Sequence, residues 1–248
     1  MKNFRKTIVL LMVIFCGFAM FSACSEDIPD IIPATHASST ASSQAEMYSN
    51  KTYYVGNDVP AGFYAIKCTK TNFCMEIVIF ESKNDYKNFQ NAEKYTIGEY
   101  TRAVEKYAWA SFYVEENETV CVGLKSGNVI LLDEGMCEFS HFDATSSAKI
   151  YSGIYIAGDD IEIGNYDFFC IEENLQVTIF QNAQKYRQYH QSERFTIGEE
   201  ADAIKKYSLS SDFIYEDDSV SVHLEKGMIL MIEGGVGERS IDRGPTIK

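Results

Sequence analysis

The stretch Thr119-Val120-Cys121-Val122-Gly123-Leu124-Lys125-Ser126-Gly127-Asn128-Val129-Ile130-Leu131-Leu132 decides the fold, and the chain writes it twice. Val120, Val122 and Leu124 alternate with Thr119, Cys121 and Gly123, the period-two pattern of a half-buried strand. Gly127 then suits the positive-φ position of a hairpin turn before the next apolar run. Ser219 to Ile232 repeat the arrangement, and the match extends outward without a gap. Met75 to Gly135 lie over Leu175 to Gly235 with roughly 18 identities in 61 positions, which makes this one module used twice.

Upstream of that stretch, Cys74 to Phe80 and Leu175 to Phe180 are short runs rich in Ile and Val, the composition of buried strands. Asp85 to Tyr95 and Lys185 to Phe195 turn polar, with Tyr86 and Phe89, or Tyr186 and Tyr189, spaced as on one helical face. A second helical patch follows the identical Thr96-Ile97-Gly98-Glu99 and Thr196-Ile197-Gly198-Glu199, carrying Ala103, Val104 and Tyr107 or Ala203, Ile204 and Tyr207. Ser111 to Val114, the acidic turn Glu115-Glu116-Asn117-Glu118, Thr119 to Leu124 and Asn128 to Leu132 then read as a meander. The expected fold is mainly β: two tandem small β-sandwich or curled-sheet modules, each with one or two short helical insertions, with α+β as the alternative. The modules are placed at residues 51–137 and 149–235, joined by a linker at 138–148, with a flexible tail at 236–248. Each module can bury a modest core alone, and a core shared between the copies is the other option.

Each module opens on a glycine corner, Gly56-Asn57-Asp58-Val59-Pro60-Ala61-Gly62-Phe63-Tyr64 in the first copy, echoed from Gly158 to Tyr166 in the second. This phrase resembles the Gly-x-Asp-Ile-Pro-Ala-Gly-x-Tyr pattern in repeats of Gram-positive surface lipoproteins, closely in the first copy and loosely in the second. At the N-terminus, Lys2, Arg5 and Lys6 precede an apolar run from Ile8 to Phe21, the layout of an export signal over residues 1–23. Phe21-Ser22-Ala23-Cys24 resembles a bacterial lipobox, which implies cleavage before Cys24 and a diacylglycerol on its sulfur. Two acyl chains suffice for stable anchoring. Residues 24–50, rich in Ser, Thr and Ala with Pro29 and Pro33, read as a flexible tether spanning about 25 to 30 Å as coil. The expected location is the outer face of the cytoplasmic membrane.

The formal net charge is −14, and loss of the signal with its three basic residues takes it to −17. Such a surface excludes nucleic acid as a natural partner and could attract cationic peptides or divalent ions. Beyond Cys16 and Cys24, five cysteines remain, Cys68, Cys74, Cys121, Cys137 and Cys170, which cannot all pair within one molecule. Cys68 with Cys74, or Cys121 with Cys137, could bridge in an oxidising setting, but neither spacing repeats in the second copy, and their pairing stays open.

No catalytic, metal or cofactor motif stands out. His36, His141, His190 and His223 have no histidine counterpart in the other copy, and the carboxylates Glu93 and Glu99 recur as Glu193 and Glu199, as structural residues would. The acidic turns at 115–118 and 216–218 lack the grammar of a calcium loop and read as solvated hairpin tips. The expected role is therefore non-catalytic binding of an envelope or extracellular ligand, with an interaction scaffold as the alternative and a hydrolase behind both. Function in duplicated modules shows where the copies differ: Trp109 against Leu209, Phe112 against Asp212, Gly123 against His223. Trp109, Phe112 and Tyr113 are the candidate ligand patch, weighed against Trp109 filling a gap in the core.

Overall fold

The computed structural model describes residues 46–242, apart from Glu193 and Phe195. The signal, Cys24 and residues 25–45 of the tether lie outside the described residues. The first module comprises β1 (Glu46–Tyr54), β2 (Gly62–Phe80), α1 (Lys83–Asn91), α2 (Ile97–Tyr107), β3 (Ala110–Val114), β4 (Thr119–Leu124) and β5 (Val129–His141). A two-residue strand β6 (Lys149–Ile150) leads into the second: β7 (Ser152–Ile156), β8 (Gly164–Phe180), α3 (Ala183–His190), α4 (Ile197–Tyr207), β9 (Ser210–Ile214), β10 (Ser219–Leu224) and β11 (Ile229–Asp242). Among the described residues the protein is mainly β, with four short helices.

Both helices of each pair start where short polar side chains cap them. Ser82 and Asn182 accept from the backbone N–H three residues on, at α1 and α3. Thr96 and Glu99, and again Thr196 and Glu199, form reciprocal capping boxes at α2 and α4. The identical Thr-Ile-Gly-Glu tetrads are thus helix starts. At the glycine corners Gly56 and Gly158 take φ of 98° and 89°, while Asp58 and Asp160 accept from the backbone N–H of Tyr54 and Ile156.

The pairing differs from a meander. β4 and β5 are not partners; β2 lies between them, pairing antiparallel with β5 along both halves, with β4 through Gly62–Lys67 and with β3 through Met75–Ile79. β3 and β4 therefore run end to end along one side of β2. The acidic segment 115–118 is the kink between them rather than a hairpin tip, held where Asn117 N–H donates to Cys68 O and Cys68 N–H to Glu118 O. The expected linker and tail also contain strand: β5 continues to His141 and β11 to Asp242, the latter paired with β8 and β6.

The run Ile77–Phe80 is apolar on both faces because both are covered. Val78, Phe80 and Val129 pack under Phe89, Ala103, Val104 and Ala108 of the helical layer. Ile77, Ile79, Ile130 and Leu132 face inward with Tyr64, Ile66 and Phe139.

The two copies do not form separate sheets. Val120, Cys121 and Val122 of β4 pair in parallel with Ser152, Gly153 and Ile154 of β7, giving one sheet in the order β1-β5-β2-β4-β7-β11-β8-β10. Read by equivalent strands, that order is one four-strand pattern followed by itself. The core is shared as well: Phe180, Tyr186, Tyr189, Ile229 and Met231 of the second module belong to the same buried cluster as Ile77, Ile79 and Trp109 of the first.

Candidate binding surface

The three divergent positions that the sequence singles out do not make an exposed patch on the first module. Trp109 is 9 % exposed and meets Tyr186 edge to face, with ring centroids 4.7 Å apart. Phe112 packs half-buried against the same cluster, whereas Tyr113, next along β3, is exposed and belongs to a different group. Gly123 lies against the second module's Asp160: a Cβ there would stand 2.9 Å from Oδ1 of that carboxylate. Trp109 and Gly123 thus belong to the joint between the copies, and Phe112 packs against the buried cluster that both copies share. In the second copy Leu209, Asp212 and His223 stand in their places.

The joint is built at backbone distance. Gly153 has φ of 152°, and a Cβ on it would fall 2.0 Å from the carbonyl oxygen of Cys121. Asp160 is pushed up to about 6, chiefly by burial. Further along the joint, α3 closes the last turn of α2, where helix carbonyls lack intrahelical partners. Gln191 Nε2 donates to Lys106 O at 3.1 Å, and His190 Nδ1 lies 3.3 Å from Glu105 O, so Nδ1 is the protonated nitrogen of a neutral ring. Burial, with Arg194 nearby, lowers the His190 pKa to about 3. An exposed Arg187–Glu81 pair also crosses between the modules.

The equivalent faces beside β3 and β9 diverge in chemistry. In the first module Tyr100 Oη donates to Glu76 Oε2 at 2.7 Å, and Tyr113 also hydrogen-bonds this carboxyl. Glu76 is 9 % exposed, and burial pushes its pKa up to about 6 despite the two tyrosines, with Asp133 and Glu134 adding to the rise.

The second copy loses this closure. Gln176 replaces Glu76 and donates to Ser211 Oγ at 3.1 Å, while Phe213 replaces Tyr113. Glu200 replaces Tyr100 and turns to Tyr189, whose hydroxyl donates to it at 2.5 Å. What remains is a shallow groove between α4 and β9, lined by Gln176, Ile204, Lys205, Leu209, Ser211 and Phe213. Leu209, Phe213 and Tyr215 are 56 %, 53 % and 59 % exposed, and the two rings meet edge to face at 5.3 Å. Asp212, Glu216, Asp217 and Asp218 are exposed around them. Among the described residues β9 pairs with β8 alone, so its other edge carries no strand.

The remaining candidates are dispersed. His141 stacks on Tyr64 at 4.4 Å, His190 is buried at the joint, and His223 lies on β10 with Nδ1 2.7 Å from Asn165 Oδ1. His36 and Glu193 fall outside the described residues. No group of three or more His, Cys, Asp or Glu side chains able to hold a metal ion occurs among the described residues. The signal that could have located the groove was present: Tyr113 to Phe213 and Glu115 to Tyr215 are apolar gains confined to the second copy. Comparison with known protein families finds no match, and comparison with curated proteins finds none.

Proposed function

We propose that this chain is a lipid-anchored, non-catalytic binding protein on the outer face of the cytoplasmic membrane, and that its second module captures a basic, extended peptide segment of an envelope or extracellular protein along β9. The anchor is supported by the charged and apolar leader ending in Ser22-Ala23-Cys24. The observation that carries the binding surface is the exposed strip of Leu209, Phe213 and Tyr215 beside an unpaired strand edge. An extended peptide adding to β9 would satisfy the backbone groups of that edge and set alternate side chains against the strip. The exposed carboxylates at 212 and 216–218, on a chain with formal charge −14, favour a basic segment. Lys205 is the opposing charge at the helix side of the groove.

The test is a peptide-display selection against the full-length chain in detergent, followed by affinity measurement with Phe213→Ser and Tyr113→Ser variants. The expected result is enrichment of basic peptides with alternating apolar residues, weakened at least tenfold by Phe213→Ser and little changed by Tyr113→Ser. Enrichment of peptides that bind both variants equally, or of none, would remove β9 as the site. A scaffold role would instead show as a stable protein complex unaffected by Phe213→Ser.

A further inference from the structure

Two cysteines that the sequence places far apart stand directly opposite each other in the fold. Cys68 on β2 and Cys137 on β5 are cross-strand partners in an antiparallel ladder, flanked on one side by the regular pairs Lys67–Glu138 and Ile66–Phe139. Both side chains are fully buried in the same inward cluster, so they share one face of the sheet. The hydrogen bonds fix the kind of pair. In an antiparallel strand one residue's N–H and C=O point to the same side, and both groups of Cys68 are spent on the other flank of β2, with Glu118 O and Asn117 N–H. Toward β5, Cys68 is therefore the non-hydrogen-bonded member of its pair. That class brings opposed Cα atoms to about 4.5 Å with side chains at their closest, inside the roughly 4.4–6.8 Å that a disulfide spans.

We propose that Cys68 and Cys137 form a cross-strand disulfide when the chain folds under oxidising conditions. Two S–H bonds are lost and one S–S bond forms. The two electrons and two protons pass to a disulfide-bearing oxidant, such as an extracytoplasmic thiol oxidoreductase or glutathione disulfide, which leaves as its dithiol or as two thiols. Burial raises both thiols above the ordinary range, Cys137 to about 12, so the exchange belongs to folding, before the interior closes. The second module cannot repeat the bond, because the partner of Cys170 on β11 is Gly237. Of the pairings open from sequence spacing, Cys121 lies on β4 opposite Ala65, at the joint with Tyr155, and Cys74 lies six residues along the same strand as Cys68. In the cell, though not in the tube, the bond rests on the export reading above.

The experiment refolds the full-length chain in detergent in a glutathione redox buffer, alkylates remaining thiols and maps non-reduced peptides by mass spectrometry. The expected product is one peptide pair joined at Cys68 and Cys137, two hydrogens lighter than the thiol forms. Because the bond closes a loop of about 70 residues, reductant should lower Tm by on the order of 10 °C. The Cys68→Ala/Cys137→Ala chain should show no such dependence on reductant. Alkylation of both thiols in the refolded protein, or a bridge from either to Cys74 or Cys121, would overturn the proposal. A separate arm traps thiols in intact cells by acid quenching. A bridge in the refolded protein with thiols in the cell would count against export and leave the pairing standing.

Discussion

Replacing Glu76 by glutamine, the residue the second copy carries at Gln176, should change the pH dependence of stability in a calculable way. Glu76 titrates near 6 in the folded protein against an ordinary 4.5, with burial the main cause. A carboxyl with a raised folded pKa contributes its full stability below its unfolded value and loses it as pH rises through the folded one. The shift of about 1.5 units corresponds to about 2 kcal/mol, lost between roughly pH 4.5 and 6. Glutamine keeps the carbonyl acceptor for Tyr100 and has no charge to desolvate. The difference in unfolding free energy between Glu76→Gln and the native chain should therefore shift in favour of the variant by about 2 kcal/mol between pH 4 and pH 7.5. Urea unfolding of both proteins at pH 4, 5, 6 and 7.5 measures this, and any constant cost of the substitution cancels. A difference that stays flat within about 0.5 kcal/mol across the series would mean that Glu76 is not held in a desolvating site.

His190 should act in the opposite sense. Its folded pKa of about 3 lies below the ordinary 6.5, so its contribution is present above pH 6.5 and falls away toward pH 3. The native chain should lose about 2 kcal/mol from this group by pH 5, and His190→Gln, the residue at Gln90, should abolish that loss in the same denaturation series. At the joint, Gly153→Ala drives a Cβ onto the Cys121 carbonyl from a backbone conformation that favours glycine, so it should cost at least about 3 kcal/mol. Amide exchange should then open first along β4 and β7; unchanged protection there would show that the strands do not meet at this distance.

The repeat, the β content and the helices were all legible in the chain, because each is local. Val120, Val122 and Leu124 alternate, and Tyr86 and Phe89 share a face, whatever else the protein does. Pairing was not legible. A glycine turn between Leu124 and Val129 reads as a hairpin, yet β2, placed some fifty residues earlier, takes the position between the two strands. Nothing local to residues 119–132 announces that competitor. The same limit explains Trp109: its difference from Leu209 was visible, but whether it lay in a ligand patch or filled the core depended on a contact with Tyr186 that no spacing encodes. Glu76 and His190 escaped because a buried ionisable group is conspicuous only once its surroundings are known. Of the positions flagged by divergence, Trp109 and Gly123 touch the second module.

The way β4 meets β7 has a consequence for how far such a chain could grow. The copies are related by a step in one direction, not by a two-fold axis, so the contact uses two unlike surfaces and, among the described residues, leaves one of each at a sheet edge, β10 at one end and β1 at the other. Unlike surfaces that match can add without limit and form fibres. The described sheet carries both halves of such a contact at its two ends. The matching is spoiled residue by residue: Lys51 occupies the position of Gly153, and Asp212, Ser221 and His223 occupy those of Phe112, Cys121 and Gly123. A lysine side chain where only a hydrogen fits, and polar groups where an apolar face is needed, oppose such addition at both ends. The identity of a few edge residues, and not the geometry of the fold, makes the two ends of the described sheet unlike the joint between the copies.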